Sequence, residues 1–243
     1  MIQAIVPSRP CLTGVGVGPG DPELLTLKAA RAIDEADVIF APTRRAGGRS
    51  MALDIVRDRL DERRKRIVLL PFPEGGHEGW RAVAERIVAE LGDDGHGVFL
   101  TEGDPLLFGS FGHVMSALRM LAPSLTVHVV PGVSSITASA AAAGIPLTDY
   151  EDRLAVVPAT ADLAEVERAL GEYECVVVLK VGSVLPELLT LLGRLDLMRQ
   201  AVYVRRCGWP EQEIVHDVRT LLSEPPTDYF ALLIVRPDRA SRR

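Results

Sequence analysis

Short apolar runs alternate with helical patterns from one end of the chain to the other, and this alternation restricts the fold more than any other feature. The runs at 12–15, 38–41, 67–70, 98–100 and 126–130 read as buried strands. Helical spacing fills the gaps between them, at 22–35, 50–60, 78–91 and 111–121. Strands joined through helices are parallel, because the helix carries the chain back to the same end of the sheet. A second unit begins near Pro131-Gly132, with a small-residue helix at 134–143 and strands at 154–157, 175–180, 201–204 and 229–235. Helices at 163–170 and 186–195 separate these strands, the latter with Pro186 in its first turn. Pro225-Pro226 precedes the last strand, which leaves no room for a closing helix, so this second sheet is expected to be mixed. The fold class is therefore α/β, with two α/β domains: 1–131, mostly parallel, and 132–243, mixed. A ligand cleft between them is the natural site.

With 243 residues there is material for an ample core. The formal net charge of −6 and 5% aromatics argue against nucleic acid as a partner, which calls for a basic face or stacking platforms. Cys11, Cys175 and Cys207 are odd in number and contain no C-x-x-C pair, which fits a reducing cytoplasm and offers no zinc site. The opening stretch, Met1 to Pro10, lacks the layout of a signal peptide, and no apolar run is long enough to span a membrane. The basic tail from Arg239 to Arg243 is expected to fray. His77, His96, His113, His128 and His216 show no ligand spacing, so no metal is expected.

Three loops carry unusual chemistry. Gly14-Val15-Gly16-Val17-Gly18-Pro19-Gly20-Asp21-Pro22 joins the first strand to the first helix. Its glycines miss the G-x-G-x-x-G spacing, because Pro19 and Asp21 stand where a third glycine is needed, and no lysine completes a P-loop. An acid beside a helix start would also repel phosphate. Asp21 reads both as an N-cap followed by Pro22 and as a group facing whatever the glycines admit. The second loop, Thr101-Glu102-Gly103-Asp104-Pro105-Leu106-Leu107-Phe108-Gly109-Ser110, follows the strand at 98–100. It lies where ligands of parallel sheets bind, beyond the carboxyl end of a strand. It reads equally as a strand-to-helix turn with an Asx bond from Asp104, and Ser110 is placed to cap the next helix. The third, Thr43 to Ser50, gathers Arg44, Arg45 and Arg49 into a local positive patch suited to carboxylates, or into a merely solvated loop.

Taken together, three stretches resemble the tetrapyrrole methylases. They are the run from Gly14 to Ala29, the Glu102-Gly103-Asp104-Pro105 motif ending in Gly109-Ser110-Phe111, and the turn Val130-Pro131-Gly132-Val133-Ser134-Ser135. The likeness continues through Lys180-Val181-Gly182 and Cys207 to Gln212. Two stretches depart from the nearest branch: Leu106-Leu107-Phe108, where a bulkier aromatic pair is usual, and Arg205-Arg206-Cys207-Gly208-Trp209, where an acid-R-A-T run is common.

The resemblance implies an S-adenosylmethionine-dependent C-methyltransferase that releases S-adenosylhomocysteine and works as a homodimer; the cysteines and the opening stretch already point to the cytoplasm. The nearest branch methylates precorrin-2, or its cobalt form, at the C20 meso carbon on the way to cobalamin. By position, the implied cofactor contacts are Pro19, Glu102, Gly103, Asp104, Leu107, Ser134, Ser135, Val181 and Cys207. A base is needed only to remove a proton as the ring is methylated. Asp21 is the first candidate, with Glu102 and Tyr150 behind it. Arg44, Arg45 and Arg49 would meet the carboxylates of the macrocycle, and Ser110 and His113 would orient it. The alternatives are methylation of another carbon in a corrin or sirohaem precursor, a ribosomal-RNA ribose methylase, and a non-catalytic adenosine-sensing module.

Overall fold

The computed structural model of the chain describes residues 10–61, 64–74, 76–160, 162–223 and 225–237. The expectation for the tail from Arg239 to Arg243 lies outside them, as does all but Pro10 of the opening stretch. The chain divides into two compact units, Met1–Ser134 and Ser135–Arg243.

Among its described residues the first unit holds five strands: β1 (Cys11–Gly16), β2 (Val38–Thr43), β3 (Arg66–Pro71), β4 (His96–Thr101) and β5 (Thr126–Val130). They lie in the order β3-β2-β4-β1-β5, and every neighbouring pair is parallel. β1 and β4 are buried along their whole length, as central strands covered on both faces must be. The described connections carry the helices α1 (Leu27–Glu35), α2 (Met51–Val56), α3 (His77–Leu91) and α4 (Phe111–Leu121). Val83, Ala84, Ile87 and Leu91 of α3 and Val114 and Leu118 of α4 recur at helical spacing and pack with Leu12, Phe40 and Phe99. Alternation along each strand turns the intervening residues to the other face, where α1 and α2 lie against β1, β2 and β4.

Helix starts follow their side chains. The predicted helix at 22–35 divides into a 3-10 turn, Pro22–Leu24, and α1, because Asp21 accepts from Glu23 N (2.8 Å) and Thr26 accepts from Ala29 N (3.1 Å), each capping its own segment. Ser50 caps α2 through Leu53 N (3.3 Å). Ser110 stands at the N-cap of α4 but makes no capping bond. Its backbone (φ −79, ψ −16) is already helical, not in the extended region that brings the hydroxyl to the next turn.

The second unit contains α5 (Ser135–Ala143), β6 (Leu154–Pro158), α6 (Leu163–Glu172), β7 (Cys175–Leu179), α7 (Leu185–Arg194), β8 (Ala201–Arg205), β9 (Glu213–Val215) and β10 (Ala231–Val235). Its sheet runs β6-β7-β10-β8-β9: parallel at β6-β7, antiparallel elsewhere, hence mixed. The core gathers Val176, Val178, Leu188, Leu192, Tyr203 and Leu233. A fully buried leucine contributes about 2 kcal/mol by area alone. β7 ends at Leu179, short of the predicted Lys180, because Lys180 is left-handed (φ 59). β10 starts at Ala231, not Tyr229, because Asp228 Oδ1 accepts from Phe230 N (2.9 Å) in a local turn.

Candidate functional site

In the first sheet, β1 and β4 are adjacent, yet their connections leave in opposite directions. From β1 the chain crosses to β2, and from β4 it crosses the other way to β5. A parallel sheet opens a crevice at such a divergence, beyond the carboxyl ends of the strands. The glycine loop after β1, the Glu102-to-Ser110 loop after β4 and the turn after β5 all start there.

Backbone bonds and sterics knit these loops together. Val17 N donates to Thr101 O (2.9 Å) and Gly103 N to Gly18 O (2.8 Å), so Gly18 and Gly103 form an isolated antiparallel bridge. Asp104 joins the second loop to the third: Oδ1 accepts from Leu106 N (2.9 Å) and Oδ2 from Gly132 N (3.1 Å). A Cβ on Gly132 would sit 2.1 Å from Gly103 O and 2.7 Å from Gly16 Cα, and one on Gly16 would lie 2.5 Å from Gly103 O. No side chain fits at Gly16 or Gly132. Thr101 Oγ1 is buried here without a hydrogen-bond partner. Leu106, Leu107 and Phe108 are exposed, and Phe108 is held at φ 55. Left-handed backbone at a non-glycine residue costs roughly 1–2 kcal/mol, and such strain collects at functional loops.

Glu102 titrates far from the usual carboxylate range. Burial pushes it from 4.5 to about 7; the Arg44 guanidinium pulls it down and the Asp54 carboxylate pushes it further up. A group poised near neutrality can accept and release a proton at working pH. Asp21, by contrast, has one carboxylate oxygen engaged by Glu23 N as a cap.

The arginine loop is a built turn. Thr43 Oγ1 donates to Arg45 O (2.9 Å), as does Gly48 N (2.9 Å). Arg44 and Arg45 are exposed, while Arg49 Nε donates to Asp54 Oδ2. Arg49 thus serves an ion pair that its sequence position does not disclose. His113 is exposed on α4 with its ring stacked on Trp80 of α3 (centroids 5.1 Å apart, planes at 16°).

Of the predicted residues, the structure brings Pro19, Asp21, Glu102, Gly103, Asp104, Leu107 and Ser110 into the loops after β1 and β4. Ser134 follows the Gly132 turn as the last residue of its unit. Ser135, Tyr150, Val181 and Cys207 belong to the second unit. There, Val181 opens a 3-10 turn (Val181–Ser183) after left-handed Lys180, and Cys207 follows left-handed Arg206 (φ 48). Asp228 ties these turns: Oδ2 accepts from Arg206 Nε, and its carbonyl oxygen would lie 2.1 Å from a Cβ on Gly182. Burial opposes the charge on Asp228, but the Arg206 bond, the Phe230 N–H and the Arg206 charge together outweigh it and hold the carboxyl low. Tyr150 is fully exposed and lines an open concavity of about 530 Å³ with Asp149, Asp152, Glu174 and Arg236. Sequence reasoning missed Asp54 and Asp228, which lie outside every motif. Asp54's one signal is an acid five residues from Arg49, a pattern too common to single it out, and Asp228, 22 residues from Arg206, has none. Among the described residues, no three His, Cys, Asp or Glu gather as metal ligands, and no helix is long and apolar enough to cross a membrane.

The sequence profile of the tetrapyrrole (corrin/porphyrin) methylases matches residues 11–223. The chain is 36% identical to the precorrin-2 C(20)-methyltransferase of a Sinorhizobium species, covering 92% of this chain and 94% of that protein. It is 32% identical to the cobalt-precorrin-2 C(20)-methyltransferase of Salmonella typhimurium, over 92% of this chain and 95% of that one. A solved uroporphyrin-III C-methyl transferase of Thermus thermophilus, complexed with S-adenyl homocysteine, superposes with a TM-score of 0.64 at 25% identity, covering 93% and 97% of the two chains.

Proposed function

The chain belongs to the tetrapyrrole (corrin/porphyrin) methylase family, and from that premise we propose that it methylates precorrin-2, or cobalt-precorrin-2, at the C20 meso carbon in cobalamin biosynthesis, with S-adenosylmethionine as donor. Relatives of that name match nearly the whole chain in both directions. The structural observation that carries the reading is the glycine junction at the β1/β4 divergence, where Gly16, Gly103 and Gly132 bring three loops together and Asp104 ties two of them.

The residues at this junction fit the donor. Glu102, Asp104 and Asp21 make the surroundings acidic, which suits a cationic sulfonium and would repel a phosphate-bearing cofactor. Buried Thr101 Oγ1 supplies an unspent hydrogen-bonding group, and Leu106, Leu107 and Phe108 supply uncovered apolar surface for an adenosine ring. The contacts we assign at this junction are Pro19, Glu102, Gly103, Asp104, Leu107 and Ser134; for Ser135, Val181 and Cys207 the family resemblance is the support.

When bound, S-adenosylmethionine supplies a methyl group already activated as a sulfonium. The protein's task is then to hold an electron-rich carbon in line with that methyl, which is catalysis by positioning. Methylation displaces one proton from the ring, and we assign its acceptance to Glu102. Glu102 takes precedence over Asp21 because its titration near 7 matches the operating pH, whereas Asp21 is engaged as a cap. Fully exposed Tyr150 is the weakest of the three candidates. Arg44, Arg45 and Arg49 offer guanidinium groups to the acidic side chains of the macrocycle, beside Ser110 and His113. The enzyme acts as a homodimer, which the family resemblance supports, in the cytoplasm, which three cysteines without a C-x-x-C pair support. The test is anaerobic incubation with S-adenosylmethionine and either precorrin-2 or its cobalt form. A mass gain of one methyl group supports the reading, and no gain on either substrate refutes it.

A further inference from the structure

We propose that Asp54, a residue of α2 outside every motif above, is a positioning residue for this reaction: it anchors Arg49 and Arg57 and holds the arginine loop beside Glu102. The inference rests on reading the chain as a tetrapyrrole methyltransferase. Its basis is geometric. The Asp54 side chain is only 10% exposed, while those of Arg49 and Arg57 are 72% and 49% exposed. Both carboxylate oxygens are engaged: Oδ2 accepts from Arg49 Nε, and Oδ1 accepts from Arg57 Nε (3.3 Å) and Nη2 (3.2 Å). A carboxylate withdrawn this far from water is costly unless its lone pairs are shared, and two guanidinium groups share them here.

The anchor has a mechanical consequence and an electrostatic one. Mechanically, Arg49 ends a loop that starts at Thr43, whose Oγ1 donates to Arg45 O together with Gly48 N. Arg44 and Arg45 are therefore carried on a turn fixed at both ends, so less order remains to be imposed when a polyacid binds. Electrostatically, the charged groups acting on Glu102 are Arg44, from the loop after β2, and Asp54, from α2. Arg44 favours the ionised form and Asp54 the protonated one, while Arg49 and Arg57 are engaged on Asp54. One side chain thus holds the substrate arm and adds to the proton affinity of the base, which burial raises first.

The test compares Asp54→Asn with Arg49→Lys, using circular dichroism to confirm folding. In protein carrying ¹³C-carboxyl glutamate, with the Glu102 signal assigned by Glu102→Gln, the wild-type midpoint lies at about 7. Asp54→Asn lowers that midpoint and shifts the rising limb of the pH–rate profile to lower pH, whereas Arg49→Lys keeps the cation and leaves the midpoint in place. Both variants raise the KM for precorrin-2, roughly tenfold for Asp54→Asn through one lost charge-assisted bond. Affinity for S-adenosylhomocysteine, read by calorimetry, stays unchanged. A Glu102 midpoint that ignores Asp54→Asn, or that moves equally in both variants, overturns the proposal, as does parallel loss of substrate and donor affinity. The titration needs no turnover. A wild-type protein that methylates neither tetrapyrrole sinks the functional reading, while the Glu102 midpoint still decides the role of Asp54.

Discussion

Replacing Glu102 with glutamine should make the protein more stable, and increasingly so as pH rises. Its carboxyl is raised from 4.5 in the ordinary state to about 7 in the fold. Between those values the folded protein holds a proton that the unfolded chain releases, so this group makes stability fall with rising pH. One pKa unit corresponds to about 1.4 kcal/mol, so Glu102 costs the fold about 3 kcal/mol at pH 8, where it is ionised, and about 1 kcal/mol at pH 5, where the fold must keep it protonated. Glutamine has the same shape and cannot ionise. The stability difference between Glu102→Gln and wild type should therefore grow by about 2 kcal/mol from pH 5 to pH 8. Urea unfolding at both pH values reads this directly, and methyl transfer by the variant should be strongly reduced. Two stability curves that stay parallel across this range would refute the reasoning, because they would mean that Glu102 feels neither burial nor Asp54.

Other outcomes follow from the loops. Gly132→Ala places a Cβ 2.1 Å from Gly103 O, so it should cost about 1–3 kcal/mol in thermal unfolding and weaken S-adenosylhomocysteine binding in calorimetry. Asp104→Ala removes the acceptor for Leu106 N and Gly132 N, and should destabilise by about 1–3 kcal/mol with a matching loss of donor affinity. Changing Arg44, Arg45 and Arg49 together to alanine should raise the KM for precorrin-2 and leave donor affinity intact; equal loss of both would remove the arginine loop from substrate recognition.

Most of the fold was legible because burial writes itself into sequence. The runs around Val98-Phe99-Leu100 and Cys175-Val176-Val177 are apolar on both faces and could only be central strands. The 111–121 and 126–130 segments match their expected bounds. β9 was not visible: its three residues, Glu213–Val215, are too short for a period, and what fixes Glu213 is Arg205 across the ladder (2.9 Å). Ser110 was expected to cap α4, but local backbone geometry denies it that bond. The glycine and G-D-P loops were legible as special, though not what they do to each other. Asp104 reads as an Asx turn, and its second oxygen serves Gly132, 28 residues away. Likewise, the burial of Glu102 and the charges of Arg44 and Asp54 acting on it depend on elements that only the sheet order brings together. Periodicity reports which face a residue occupies, and it carries no information about which distant charge faces it.

The most direct measurement is the position of the transferred carbon. Incubating the enzyme anaerobically with methyl-¹³C S-adenosylmethionine and precorrin-2 should yield a product with one new labelled methyl, located by NMR on the C20 meso carbon. Label on any other ring carbon, or none on the macrocycle in protein that binds S-adenosylhomocysteine, would contradict the account.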